Sequence, residues 1–192
     1  MKKINYEIIF HSDWHCGSGL AAGADVDALV IKDKDGLPFV PGKTIKGLLR
    51  EAIDLITISQ KSALIDLAFG IKNDDDRGII GGLYFSNAIM QEYERISIVA
   101  NKVTDFLYRS VSSTAIDDFG IAKDHSLRKV QVTIPCVLVG EILIMSDDLA
   151  IQEEELISLI DKAFGYIKRL GVGRNRGLGR CTIKRIKEGG NK

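Results

Sequence analysis

The sequence predicts an α+β fold in the order β-α-β-β-α-β, on three observations. Ile4, Tyr6, Ile8 and Phe10 recur at every second position, the period of a strand with one buried face. Ile45, Leu48, Leu49, Ala52, Ile53 and Ile56 recur at helical spacing, and Leu156, Ile157, Ile160, Ala163, Phe164, Ile167 and Leu170 do so again. Between and after those stripes stand β-prone runs at 79–88, 130–145 and 181–186.

The elements follow in order. The first strand gives way at 15–23 to a glycine-rich irregular stretch, then a short β-like run at 28–32 and a turn at Lys34-Asp35-Gly36. The first helix opens after Pro41-Gly42, a shorter one is expected at 62–69, and 73–77 reads as a polar loop. The strand at 79–88 is interrupted by Gly81-Gly82. Weak periodicity and many polar groups then mark a long excursion. In 130–145, Pro135 and Gly140 are expected to break or bend the strand. The clearest helix is 153–170, and the final strand follows a glycine loop. With excursions at about 15–40 and 88–130 set aside, residues 1–192 form one domain. Its order is the ferredoxin-like one used by RNA-recognition domains, an antiparallel sheet with two helices on one face. That arrangement hosts many functions, so function must be read from the excursions.

A chain of 192 residues, 45% of them hydrophobic, buries one sizeable core. Its formal net charge is zero, so no global field draws it to a polyanion. The distribution is uneven: Lys168, Arg169, Arg174, Arg176, Arg180, Lys184, Arg185 and Lys187 follow a stretch carrying Asp147, Asp148, Glu153, Glu154, Glu155 and Asp161. One basic and one acidic face are expected. Cys16, Cys136 and Cys181 lack CxxC spacing and read as free thiols of a reducing cytoplasm. No secretory signal pattern follows Lys2-Lys3, and no run approaches the roughly 20 apolar residues that span a bilayer, so no membrane partner is expected.

The most informative segment is Gly171-Val172-Gly173-Arg174-Asn175-Arg176-Gly177-Leu178-Gly179-Arg180. Its glycines permit sharp turns and close backbone approach, and its arginines offer forked donors suited to phosphate. It is no dinucleotide fingerprint, because Arg176 stands at the third glycine position and the loop runs from helix to strand. Gly42-Lys43-Thr44 imitates the end of a Walker A loop, but Leu37 occupies the leading glycine position and Pro38 and Pro41 stiffen the stretch.

Three segments carry a resemblance: Ser12-Asp13-Trp14-His15-Cys16-Gly17-Ser18-Gly19; the run from Asp25 through Asp27, Asp33, Gly36, Pro38, Pro41-Gly42-Lys43, Lys46-Gly47 and Arg50; and the glycine-arginine loop. Thr114-Ala115-Ile116-Asp117, Ala122-Lys123 and Leu138-Val139-Gly140-Glu141-Ile142 add to it. Together they resemble the RAMP superfamily, specifically the repeating (Csm/Cmr-type) backbone subunits of type III CRISPR effector complexes, over nearly the whole chain. The pattern Pro-Gly-x-x-x-Lys-Gly with a downstream arginine is specific; the glycine loop is common to the wider superfamily.

The residues themselves agree. Lys43, Lys46 and Arg50 open a helix, adding charge to its positive end and free N–H groups; with Thr44 they form one candidate phosphate ridge. Gly173, Arg174, Arg176 and Arg180 form the other. Lys102, Arg109, Lys123 and Arg128 interleave with Phe106, Tyr108 and Phe119, as a nucleic-acid wedge requires, and the resemblance makes this region a thumb intruding into a guide–target duplex. It also makes His15 and Gly17 part of a turn that contacts guide RNA. His11 and His125 carry no zinc-like spacing.

The resemblance makes Asp27 the candidate for cleaving target RNA, since it precedes Asp33 by the family's six-position offset. Asp25 is a less favoured alternative. A loop carboxylate could bind a divalent cation, Mg2+ above all, or help activate a ribose 2′-hydroxyl against its adjacent phosphate. Turns also favour aspartate for backbone reasons, and many backbone paralogues bind RNA without cutting. The implied partners are a CRISPR guide RNA, complementary target RNA, other effector subunits, and head-to-tail copies of the chain or its paralogues, in a prokaryotic cytoplasm serving antiviral defence. Two further readings stand: a non-catalytic assembly subunit of the same fold, and, disfavoured by the Pro-Gly-Lys motif, a guide-processing endoribonuclease.

Overall fold

The computed structural model describes residues 2–21, 26–57, 63–71 and 78–186. In chain order the elements are β1 (Lys2–Phe10), α1 (Gly42–Ile56), α2 (Ala63–Phe69), β2 (Gly70–Ile71), β3 (Ile79–Ile80), β4 (Leu83–Phe85), α3 (Glu92–Ala100), a 3-10 turn (Thr104–Leu107), β5 (Tyr108–Ser113), β6 (Arg128–Thr133), β7 (Val137–Ile144), α4 (Asp147–Ile151), α5 (Glu153–Tyr166) and β8 (Cys181–Arg185). The expected loop at 73–77 lies outside the described residues.

The central sheet runs β4-β7-β1-β8, antiparallel throughout. Counting only core strands, that is second, third, first, fourth, the ferredoxin-like order the sequence predicts. Alternation along β1 sends Ile4, Tyr6, Ile8 and Phe10 to the face covered by α1 and α5. There they meet Ile45, Leu49 and Ile53 of α1 and Leu156, Ile160 and Phe164 of α5. Each such side chain contributes about 1.5–3 kcal/mol on burial. The opposite face is polar: Lys3 pairs with Glu141 at 2.5 Å and Lys184 with Glu7 at 3.0 Å.

Of two expectations about glycine, one is corrected and one, the interruption at Gly81-Gly82, is met. Gly140 does not break β7 but sits opposite Tyr6 in register, where a Cβ would lie 2.4 Å from the Tyr6 hydroxyl oxygen. It leaves room for the Tyr6 ring, which tilts against Phe164 at 5.5 Å. Gly81-Gly82 divides the 79–88 run between two sheets, β3 pairing with β2 and β4 with β7. Pro135 acts as expected, separating β7 from β6, which leaves the core to pair with β5 in a hairpin.

The last helix is also shorter than its apolar stripe. α5 ends at Tyr166, yet Ile167 and Leu170 remain buried. The chain there turns extended and pairs with the segment entering β8: Cys181 N–H donates to Lys168 O at 3.0 Å and Leu170 N–H to Gly179 O at 2.9 Å. The glycine-arginine loop is therefore the tip of a short hairpin.

Candidate nucleic-acid interface

The loop is fixed at its stems by backbone bonds to the segment leaving β1. Val172 N–H donates to His15 O at 2.8 Å and Gly179 N–H to Asp13 O at 2.7 Å. Gly171 requires φ +95° there, and a Cβ on it would lie 2.3 Å from His15 O. Only glycine tolerates both demands. Arg174, Arg176 and Arg180 are exposed, and the Arg174 carbonyl is held by Arg169 Nη1 at 2.7 Å. Gly173, at φ +74°, receives Arg176 N–H at 2.7 Å and closes the tip.

The same strand exit carries the next layer. His15 is 2% exposed, and its Nδ1 is bonded to Gln131 O at 2.6 Å, so its side chain shapes the turn from within. Gly17 is exposed and bridges to Val30. The outer edge of β6 is then covered residue by residue. Trp14 and Thr133 exchange backbone bonds at 3.0 and 2.8 Å, and Gln131 N–H donates to Ala28 O at 3.0 Å. Asp27 N–H donates to Lys129 O at 2.8 Å, while Lys129 N–H donates to Asp27 Oδ2 at 2.6 Å. One backbone-bonded band thus joins the glycine loop, the 13–18 turn, the 26–32 segment and β6.

Asp27 is exposed at the edge of that band, and the described residues give its other carboxylate oxygen no partner. Asp25 lies outside the described residues. Asp33 is different in kind. Its Oδ1 accepts the N–H groups of Asp35 and Leu37, both at 2.9 Å, and its Oδ2 accepts Arg95 Nη1 at 2.7 Å. Burial pushes this carboxyl up, but the Leu37, Arg95 and Asp35 donors outweigh it and hold it below the usual carboxylate range. Asp33 therefore organises the 33–37 turn. Tyr108 braces the same turn, donating to Gly36 O at 2.6 Å with the Lys32 ammonium 3.8 Å from its ring centre.

Part of the first turn of α1 is bonded within the fold. Gly42 N–H donates to Asn87 Oδ1 at 3.0 Å, and Thr44 and Ile45 N–H donate to Pro41 O at 2.9 and 3.3 Å. These groups of the first turn are spent within the fold. Lys43 is exposed and Lys46 half-buried, but Arg50 Nη1 donates to Gly70 O at 2.8 Å and holds the end of α2. Arg50 thus has one guanidinium nitrogen engaged within the fold. The basic face shrinks likewise: Lys184 pairs with Glu7, and Arg185 with Asp161 at 2.9 Å, while Lys187 lies outside the described residues.

Sequence reasoning missed Asp13 as a functional partner. It is 9% exposed, and Arg109 donates Nε–H to its Oδ2 at 2.6 Å, so that predicted RNA contact is shared with a buried carboxylate. Lys123 and Phe119, the latter 88% exposed, lie in the connection from β5 to β6, and exposed Arg128 is the first residue of β6. Exposed aromatic and cationic groups thus share this stretch of chain. His11 bonds Thr182 Oγ1 at 2.8 Å, and His125 sits exposed in the hairpin tip. Among the described residues no group of three or more His, Cys, Asp or Glu side chains could hold a metal ion. No helix among them is long and apolar enough to cross a membrane.

Fold and band together define a ferredoxin-like domain with a basic glycine hairpin and a β5–β6 hairpin outside the central sheet. The chain belongs to the RAMP superfamily, whose family model matches residues 7–182. Solved structures that share the fold include the following two. A chain from the type III-B Cmr-beta complex bound to cognate target RNA superposes with a TM-score of 0.75 at 11% identity, covering 96% of this chain and 97% of that one. A chain from the Cmr-beta apo state superposes at 0.70 with 13% identity, covering 97% and 98%. No curated protein matches the chain in sequence.

Proposed function

We propose that the chain is a backbone subunit of a type III CRISPR effector complex, assembling head-to-tail along guide RNA and cleaving the paired target through Asp27. The observation that carries this is the continuous band that ties the exposed arginine loop and exposed Asp27 to the base of one thumb. Phosphate-tracking cations, a wedge and a carboxylate are thereby held on one scaffold. Sequence readout is left to base pairing, with the protein reading backbone and shape, as in other RNA-guided systems.

In the cleavage step the ribose 2′-oxygen attacks the adjacent phosphorus and the P–O5′ bond breaks, leaving a 2′,3′-cyclic phosphate and a 5′-hydroxyl. In this reading Asp27 takes the 2′-hydroxyl proton, and solvent returns one to the leaving oxygen. Mg2+ is commonly held by one or two carboxylates plus substrate phosphates, so Asp27 with RNA could hold one, which would neutralise developing phosphate charge.

In the assembled complex, Asp27→Ala should abolish target cutting while guide binding and folding persist, and a 2′-deoxy substitution at the scissile nucleotide should block wild-type cutting. Asp25→Ala should be milder. Wild-type cutting by Asp27→Ala would move the reading to the non-catalytic assembly subunit. A specific observation favours that second reading: the Asp27 carboxylate already serves the backbone of Lys129.

A further inference from the structure

We infer that the thumb strand β6 positions the Asp27 carboxylate, and that the group responsible is the backbone N–H of Lys129 rather than its side chain. This rests on the cleavage reading above. Asp27 and Lys129 are joined twice, by Asp27 N–H to Lys129 O at 2.8 Å and by Lys129 N–H to Asp27 Oδ2 at 2.6 Å. The first bond fixes the backbone of Asp27 and the second fixes its side-chain rotation. A free aspartate on an exposed loop samples several rotamers; this one is held in one, with Oδ2 occupied and the other oxygen left for substrate.

The parity of β6 makes the arrangement separable from the thumb itself. Outward N–H groups fall on Lys129, Gln131 and Thr133, which bond Asp27, Ala28 and Trp14. In an antiparallel pair the ladder bonds fall on alternate residues, so Arg128, Val130 and Val132 carry the pairing with β5. Lys129 N–H is therefore free of the hairpin's own ladder. The bond also gives the thumb a mechanical hold on the carboxylate: a shift of β6 along the duplex moves the proton acceptor with it.

Lys129→Pro removes that one N–H, which bonds a side chain and lies outside the β5–β6 ladder. Lys129→Ala removes the cation and keeps the N–H. In the assembled complex at saturating target, Lys129→Pro should slow single-turnover cutting about 10- to 100-fold, since a misplacement of about 1 Å can cost two orders of magnitude. Target affinity should stay within about 2-fold, and mapped cut positions should spread beyond the wild-type one. Lys129→Ala should cut at nearly the wild-type rate. A Lys129→Pro complex that cuts like wild type at the same position, while Asp27→Ala is dead, overturns the inference and leaves the cleavage reading standing. If Asp27→Ala itself cuts normally, the reading falls and the inference with it. Should Lys129→Pro fail to fold, amide exchange in the RNA-free protein decides: Asp27→Ala should raise exchange at Lys129 selectively, and unchanged protection there overturns the clasp.

Discussion

Arg109 of β5 donates its Nε proton to Asp13 Oδ2 at 2.6 Å, joining the thumb hairpin to the turn that also receives Gly179 N–H. The carboxylate is buried and its other oxygen, Oδ1, has no hydrogen-bond partner among the described residues, so Arg109 supplies its neutralising contact. Arg109→Ala should lower stability by about 1–3 kcal/mol, the penalty of an orphaned buried carboxylate, read from urea denaturation midpoints. Asp13→Asn should cost less. Equal, negligible losses for both would mean that the pair is ordinary surface electrostatics.

The exposed loop arginines should behave in the opposite way. Arg174→Ala and Arg176→Ala leave the stems untouched, so stability should stay within about 0.5 kcal/mol. Binding of unrelated RNA sequences should weaken equally, and each substitution should lower the slope of log affinity against log salt by about one unit, as one phosphate regains its counterion. Lys46→Ala should follow the same rule. Arg50→Ala should not: its guanidinium serves Gly70 O, so the variant should melt earlier with the salt slope unchanged.

Two glycines should be intolerant for geometric reasons. A Cβ on Gly179, at φ +70°, would lie 1.9 Å from Leu170 O, and one on Gly140 would meet the Tyr6 ring. Gly179→Ala should cost at least about 1–3 kcal/mol from backbone strain alone, and should release the arginine loop. Gly177→Ala, with nothing within 4 Å of the added carbon, should cost only the strain of φ +88°. Melting temperatures of the two variants separate these effects.

Stability should fall at both pH extremes, with opposite signs from different groups. Burial pushes the Cys16 and Cys136 thiols up to about 12 and Cys181 up to about 11. Their contribution is complete below the unfolded value of about 8.5 and is lost as pH rises through the folded values. Asp33, held low, contributes above about 3.9 and loses that contribution as pH falls through its folded value. Urea midpoints should therefore drop at pH 10.5 relative to pH 7. At pH 8 the native thiols should resist maleimide, and the urea-unfolded chain should react readily.

Assembly should follow the axis of α5. Its first turn carries Glu153, Glu154 and Glu155 next to Asp147 and Asp148 of α4, while Lys168, Arg174 and Arg176 lie beyond its far end. The helix separates these charges by about 20 Å at 1.5 Å per residue. Unlike faces on opposite ends favour heterologous contacts that do not close. With guide RNA the protein should give a ladder of regularly spaced oligomers by native mass measurement; a strictly monomeric protein–RNA complex would count against it.

Most of the core is legible in the sequence because its periodicities are clean. β1 buries its predicted stripe and α1 most of its own, and the core elements follow in the predicted order. α3 is not legible, because none of its residues is buried and no apolar stripe marks it. The end of α5 misleads because Ile167 and Leu170 are buried from an extended segment, and burial alone does not report helix. The site divides in the same way. The exposure of Arg174 and Arg176 can be read from glycine-rich context, whereas the diversion of Arg50 to Gly70 O and the Asp13–Arg109 pair depend on partners 20 and 96 residues apart. The Asp27–Lys129 clasp, 102 residues apart, carries no local signal at all.

The hairpin that carries the arginines is bonded to the rest of the chain at its stems, through Val172 to His15 and Gly179 to Asp13, and its tip is closed by bonds to Gly173 O and Arg174 O. A loop so built is a socket for foreign sequence. Residues 174–176 could be exchanged for a longer peptide, a reporter tag or a different cation pattern without touching the sheet, and the graft would be displayed at the same point on every copy.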